Sequence, residues 1–304
     1  MLGQTALELG LITSLTVLAL FLSYSMLNVC DLSTDGCFTL GASVGAVVAL
    51  SGHPYLAIVA AMASGLLSGL ITAFLQTKMG INSLLAGIIV NTGLYSINIA
   101  VMGNTALINL NRSETVFTKM REWLEGTFLK DQYKLFVILI VVILVLILLV
   151  LFLKTKTGLA IRATGNNSTM VKSSSINPVI TTIIGLSIAG SITALSGCLM
   201  AHYQKSTDIN IGTGILTIAL ASLLIGRTLT GKRGLWTRAI GSVLGAFIFR
   251  IVYTIALRLN MPAFMLKLVS AVIVVLAISI PYFVKNSEEI KRKLSLTFKK
   301  KGVQ

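Results

Sequence analysis

Two carboxylates, Asp31 and Asp35, stand in the string "DLSTDGCFTLGASVG", where a long apolar run breaks off. Acids at membrane depth are costly and so point to function. Asp also caps helix starts and favours the positive end of a helix dipole. Two readings follow: a cap for the short helix behind it, or a group that contacts or gates a passing solute. A helix start beside a pathway serves both purposes. Asn91, Tyr95 and Asn98 in "AGIIVNTGLYSINIAVMG" are four and three residues apart and share one helix face. Such side chains either bond to neighbouring helices or line a polar path.

Catalytic chemistry finds no comparable support. Cys30, Cys37 and Cys198 lie in or beside apolar segments, without metal-ligand or disulfide spacing. His53 and His202 sit at segment ends, too isolated for a metal site. The string "GRTLTGKR", 226–233, begins like a phosphate loop, but Arg233 stands where Ser or Thr should hold magnesium. No β-strand precedes it, and no hydrolase signature occurs elsewhere. Neither catalytic nor metal-ligating residues are therefore expected, and a membrane enzyme is disfavoured. Arg250, deep in an apolar segment, should face the protein interior or water, as an ion pair or a subunit contact.

The elements that must position these residues are membrane helices. Of the 304 residues, 55% are hydrophobic and only 12% charged, with mean hydropathy +0.90. Apolar runs of roughly 20 residues suffice to cross a bilayer core. They fall at 8–28, 54–76, 84–103, 135–153, 178–201, 239–257 and 264–284, with shorter pieces at 37–51 and 213–226. The fold class is all-α and polytopic, with about nine crossings, two of them short or broken. The N-terminus lacks a basic leader region and reads as a retained helix.

Net charge is +15, yet it concentrates in a few connections, so nucleic acid is not the implied partner. Lys154, Lys156, Arg162 and Lys172, then Arg227, Lys232, Arg233 and Arg238, and the basic tail 285–304 mark the cytoplasmic side. The tail also suits anionic lipid. Parity puts the N-terminus outside and the C-terminus in the cytoplasm. The connection 104–133, which contains a short surface helix in "SETVFTKMREWLEG", then falls outside. The transmembrane domain is 1–284. "DLSTDGCFTLGASVGAVVAL" and "DINIGTGILTIALASLLIG" each open with an acid near a glycine and continue as a short helix. They run in opposite directions across the membrane, the pattern of an inverted repeat around a transport path.

The stretch "TGLAIRATGNNSTMVKSSSINP" resembles the cytoplasmic loop of permeases of the branched-chain amino acid/ribose ABC importers. The matching positions are Thr157, Gly158, Arg162, Ala163, Gly165, Asn166, Asn167, Ile176 and Asn177, with Ser175 where glycine is usual. "DLSTDGCFTLGA" and "INSLLAGIIVNTGLYSINIAVMG" are similar to one subfamily associated with tryptophan and other aromatic amino acids, with Thr39 in place of a proline.

The resemblance implies a type II-like ABC importer transmembrane domain. It implies a second permease subunit forming a homodimer, two ATP-binding subunits that hold ATP and magnesium, and an extracytoplasmic substrate-binding lipoprotein. On this reading 159–177 couples to the ATPase through Leu159, Arg162, Gly165, Asn166, Asn167, Met170, Ile176 and Asn177. Ile161 and Val171 are further apolar anchors on an amphipathic surface helix. Asp31, Asp35, Asn91, Tyr95 and Asn98 belong to the translocation path. Lys205 and Asp208, with 104–133, face the binding protein. Sugar or nucleoside import, and a secondary transporter driven by an ion gradient, stand as alternatives.

Overall fold

A computed structural model describes residues 2–123, 132–231 and 234–258, together with 265, 268, 271–276 and 279. Lys232, Arg233, most of the expected segment 264–284 and the tail 285–304 lie outside the described residues.

Eleven helices carry the described fold: α1 (Leu2–Leu20), α2 (Thr34–Leu50), α3 (Pro54–Thr77), α4 (Ser83–Val101), α5 (Val116–Trp123) and α6 (Tyr133–Lys154). They continue with α7 (Lys156–Asn166), α8 (Ser168–Ser173), α9 (Pro178–Gln204), α10 (Ile215–Thr230) and α11 (Leu235–Arg258). Six spans are long and apolar enough to cross a membrane among the described residues, and α2 and α10 are shorter apolar helices. The first begins earlier than the hydropathy suggests. Within α1 the buried carboxylate of Glu8 accepts from Tyr203 Oη at 2.7 Å and from Gln4 Nε2.

Two helices form the centre. The α1 span and α9 are largely enclosed, whereas α3, α4 and α6 each leave a broad apolar face uncovered. Lipid tails are as apolar as a protein core, so membrane helices associate through close packing of small residues. α9 shows this twice. A Cβ on Gly190 would strike the carbonyl of Gly65 on α3, and one on Gly197 would strike the carbonyl of Phe38 on α2. α6, apolar from 135 to 153, acquires a buried stripe at Ile138, Val142, Val145, Leu149 and Leu153 only by packing.

α1 runs on as a π-helical segment, Phe21–Met26, closed by Leu27 N–H donating to Leu22 O at 3.0 Å. Asn28 then turns the chain at φ 58°. This segment is a junction. Arg238 of α11 donates to Ser25 Oγ at 2.8 Å and lies over the Phe21 ring. A Cβ on Gly165 of α7 would collide with Met26 O.

Between α6 and α9 the expected single amphipathic helix is two, α7 and α8, broken at Asn167. Its Oδ1 accepts from Thr169 N, Met170 N and Thr169 Oγ1, a strong N-cap. Asn177 caps α9 by accepting from Val179 N at 2.9 Å, with Pro178 at the first helical position. α8 ends with Ser175 at φ 59°, a left-handed conformation that favours glycine. The opposite connections are also tied together. Strands β1 (Leu107–Asn109) and β2 (Ser206–Asp208) pair antiparallel, with Ile108 opposite Thr207.

Ser175→Gly removes the left-handed Cβ clash, and should stabilise the protein by about 1 kcal/mol. Thermal unfolding of the purified protein followed by circular dichroism should show a raised midpoint.

Candidate functional site

Asp31 and Asp35 share a motif but occupy different environments. Asp31 is 6% exposed, and its Oδ1 accepts from Ser33 N at 2.8 Å and Ser33 Oγ at 2.6 Å. Its carbonyl accepts from Thr34 Oγ1 at 2.9 Å, and Ser33 Oγ lies 3.3 Å from Thr72 Oγ1 on α3. Asp31 therefore shapes the turn into α2. It is not among the residues that line the cavity described below.

Asp35 reaches outward from the first turn of α2 to the start of α10. Its Oδ2 accepts from Gly214 N at 2.9 Å and its Oδ1 from Leu216 N at 2.7 Å. The cap it provides is for a helix almost two hundred positions away. Gly212 makes the approach possible, since a Cβ there would meet the Asp35 carbonyl. The short helices that resembled each other in sequence thus meet at their N-termini.

A cavity of about 390 Å³ opens at this meeting point, within the range of small-molecule sites. α2 contributes Asp35, Gly36 and Thr39 to its wall; α4 contributes Asn91, Tyr95 and Asn98. Thr92 and Ser96 continue the α4 wall, and Asn210 and Thr213 close it from the connection before α10. Four of the five expected path residues are therefore brought together. Asn98 is 1% exposed and donates through Nδ2 to Gly36 O at 3.2 Å, leaving its Oδ1 without a partner among the described residues. Tyr95 is 51% exposed on the open side of α4. Asn91 Oδ1 would lie 2.6 Å from a Cβ on Gly36, so α4 seats directly on the α2 backbone. Thr39, Thr92, Ser96, Asn210 and Thr213 were missed. Thr92 and Ser96 could have been found, each lying three or four positions from Asn91, Tyr95 or a neighbouring wall residue on α4.

The expected coupling residues divide into two sets. Leu159 and Met170 are more than half exposed, and Asn166, Asn167 and Asn177 are exposed. Arg162, Gly165 and Ile176 are half-buried. Ile161 and Val171, expected as docking anchors, are buried in this chain. Ile161 packs beneath α7 near Gly185 of α9, and Gly165 faces the α1 junction, so both hold α7 in place. Lys205 is the left-handed residue ending α9 at φ 53°, and Asp208 Oδ1 accepts from Asn210 N at 2.7 Å. Lys205 immediately precedes the two-stranded ribbon and Asp208 is the last residue of its second strand.

Arg250 forms no ion pair among the described residues; its guanidinium lies 5.3 Å from the centre of the Tyr253 ring. Residues 226–230 of the phosphate-loop lookalike are the last helical turn of α10, packed on Gly241.

The family described as branched-chain amino acid transport system / permease component matches residues 4–278. The chain belongs to this family. The permease is 35% identical to the tyrosine transport system permease protein of Clostridioides difficile over 267 residues, covering 88% of this chain and 86% of that protein. It is 24% identical to the ribose import permease protein RbsC of Escherichia coli over 82% of this chain and 75% of that protein. With the fructose import permease protein FruF of Bifidobacterium longum the identity is 26%, over 96% of this chain and 83% of that protein. No solved structure gives a significant match. The chain is therefore a permease component of an ABC importer, a multi-pass membrane subunit without an ATPase site of its own.

Asp35→Ala removes the cap from two amides of α10 and should destabilise the permease by about 1–2 kcal/mol. Asp35→Asn, which retains one acceptor, should lose less. Ranking the two variants and the parent by thermal stability in detergent checks this.

Proposed function

We propose that the permease imports an amino acid with an aromatic side chain, and that its path runs through the cavity where α2 and α10 meet. The observation that carries this reading is the convergence of Asp35, Asn91, Tyr95 and Asn98 on one opening. The polar residues Thr92, Tyr95 and Ser96 lie on the uncovered side of α4. A second copy of the chain covers that side, and the path lies along the shared interface of a homodimer. The relative at 35% identity, named for tyrosine transport, supports the amino acid. The ribose and fructose permeases are more distant, at 24% and 26%, and keep sugar import as the second reading.

The full span count in this reading is nine, with α2 and α10 as the short members of an inverted repeat. The N-terminus lies outside and the C-terminus in the cytoplasm. Two ATP-binding subunits hold ATP and magnesium and grip α7 and α8 through Leu159, Met170 and the polar residues beside them. A substrate-binding lipoprotein docks over α5 and the β1–β2 ribbon, near Lys205 and Asp208. Force entering α7 passes through Gly165 to the π-helical end of α1. From there it reaches the turn 28–33 and the start of α2.

Reconstitution in liposomes with the ATPase and the lipoprotein encoded beside it should give ATP-dependent uptake of L-tyrosine or L-tryptophan. Ribose or fructose uptake in their place would favour the second reading. Uptake by this chain alone, driven by a sodium or proton gradient, would sink the ATP-coupled mechanism.

The two sets of coupling residues should separate experimentally. Leu159→Gln with Met170→Gln should abolish co-purification of the ATPase and leave thermal stability unchanged. Ile161→Ala should instead destabilise the permease by about 2–5 kcal/mol, as for a large-to-small change in a packed core.

A further inference from the structure

The N-terminus of a helix that opens into a transport cavity is an obvious place to hold the carboxylate of an amino acid, because free N–H groups and the dipole both favour an anion there. In this permease that place is occupied from within. Both oxygens of Asp35 already accept the amides of Gly214 and Leu216 at the start of α10. The positive end of α10 is therefore neutralised by the protein's own carboxylate, which itself lines the cavity.

The other wall groups have the same sense. Asn98, one of the lining residues, spends its Nδ2 on Gly36 O and leaves its Oδ1 buried and unpartnered among the described residues. Thr39, Thr92 and Thr213 each spend their hydroxyl hydrogen on a backbone carbonyl, which leaves only oxygen lone pairs for a ligand. The side chains of Asn91, Tyr95, Ser96 and Asn210 can still donate, but they are neutral. No Lys, Arg or His is among the described lining residues, so Asp35 supplies the cavity's only formal charge there.

A buried acceptor without a donor carries a desolvation penalty that a ligand donor relieves. A single negative charge in a poorly solvated wall attracts a cation and repels a second carboxylate. Tyr95, half exposed at the rim, adds an aromatic face of the kind that stabilises an ammonium group or stacks on an aromatic ring.

We infer that the cavity recognises the α-ammonium group of the amino acid in transit, through Asp35 and Asn98 Oδ1, and leaves the substrate carboxylate unbound by charge. Asp35 then has two roles at once. Its amide-bonded lone pairs hold α10 against α2, and its remaining lone pairs receive the ammonium hydrogens. Asn98 Oδ1 accepts the next hydrogen. A sugar offers hydroxyl donors but no cation, so the same wall discriminates against it. This inference rests on the reading of the permease as an amino acid importer and specifies which end of the substrate its site holds.

The test uses the permease assembled with its ATPase in nanodiscs, without the lipoprotein, so that binding reports this cavity alone. Saturation-transfer NMR would compare three probes: L-tyrosine, tyramine (ammonium without carboxylate) and 3-(4-hydroxyphenyl)propionate (carboxylate without ammonium). Tyramine should bind about as well as L-tyrosine, and the propionate should bind weaker by about tenfold or more. Asn98→Leu should weaken both ammonium probes and leave the propionate unchanged. Asp35→Asn should weaken tyramine most.

Equal binding of tyramine and the propionate overturns the inference, as does binding of no probe at millimolar concentration. Tighter binding of the propionate in Asp35→Asn would assign the α10 start to a substrate carboxylate instead, and overturns it too. The comparison of probes on the unaltered protein needs no variant to fold. ATP-dependent L-tyrosine uptake in the complete assembly separates the two failures. If uptake stands and the probe order fails, only the ammonium site is lost; if uptake itself fails, the importer reading is lost.

Discussion

A peptide group inside a bilayer has no water to bond, so a helix that begins within the membrane must find acceptors for its first amides inside the protein. In α10, a short apolar helix, the amides of Gly214 and Leu216 at its start find their acceptor in Asp35. The consequence reaches beyond a cap. Because the carboxylate belongs to the first turn of α2, it joins the starts of two short helices that are remote in sequence. The cavity and the seating of α4 on Gly36 lie beside that junction.

The close helix contacts serve the same geometry. Gly190 and Gly197 let the α9 backbone lie against α3 and α2, so the half of the molecule bearing α2 is anchored on a central helix. The connection between α6 and α9 is anchored differently. Ile161 and Val171 tie α7 and α8 down from beneath, while Gly165 meets the π-helical end of α1. That end is one short turn from Asp31, which shapes the entry to α2. α7, the end of α1 and the turn into α2 are thus successive neighbours, with a π-helical segment and a left-handed asparagine between them.

Much of this was legible in the residues. Segment positions followed from hydropathy, since a bilayer demands long apolar runs. The face carrying Asn91, Tyr95 and Asn98 followed from helical spacing, and it is the face at the cavity. The resemblance of "DLSTDG" and "DINIGTG" pointed to two related helix starts. Two of the expected anchors in 159–177, Ile161 and Val171, are buried in this chain for an equally physical reason. Apolar residues on a short surface helix suit a partner's groove and this chain's own core alike, and periodicity alone does not distinguish them.

What the sequence determined by itself is the class of molecule: a bundle of membrane helices, two of them short, with a polar helix face and basic connections. It did so because hydrophobicity, charge placement and helical period are local properties of the chain. The tertiary structure alone decided that Asp31 serves the turn into its own helix while Asp35 serves another. It alone decided which of the apolar residues in 159–177 face inward. Those assignments depend on which backbone groups come within hydrogen-bonding distance after distant helices pack, and spacing along one segment carries no record of that.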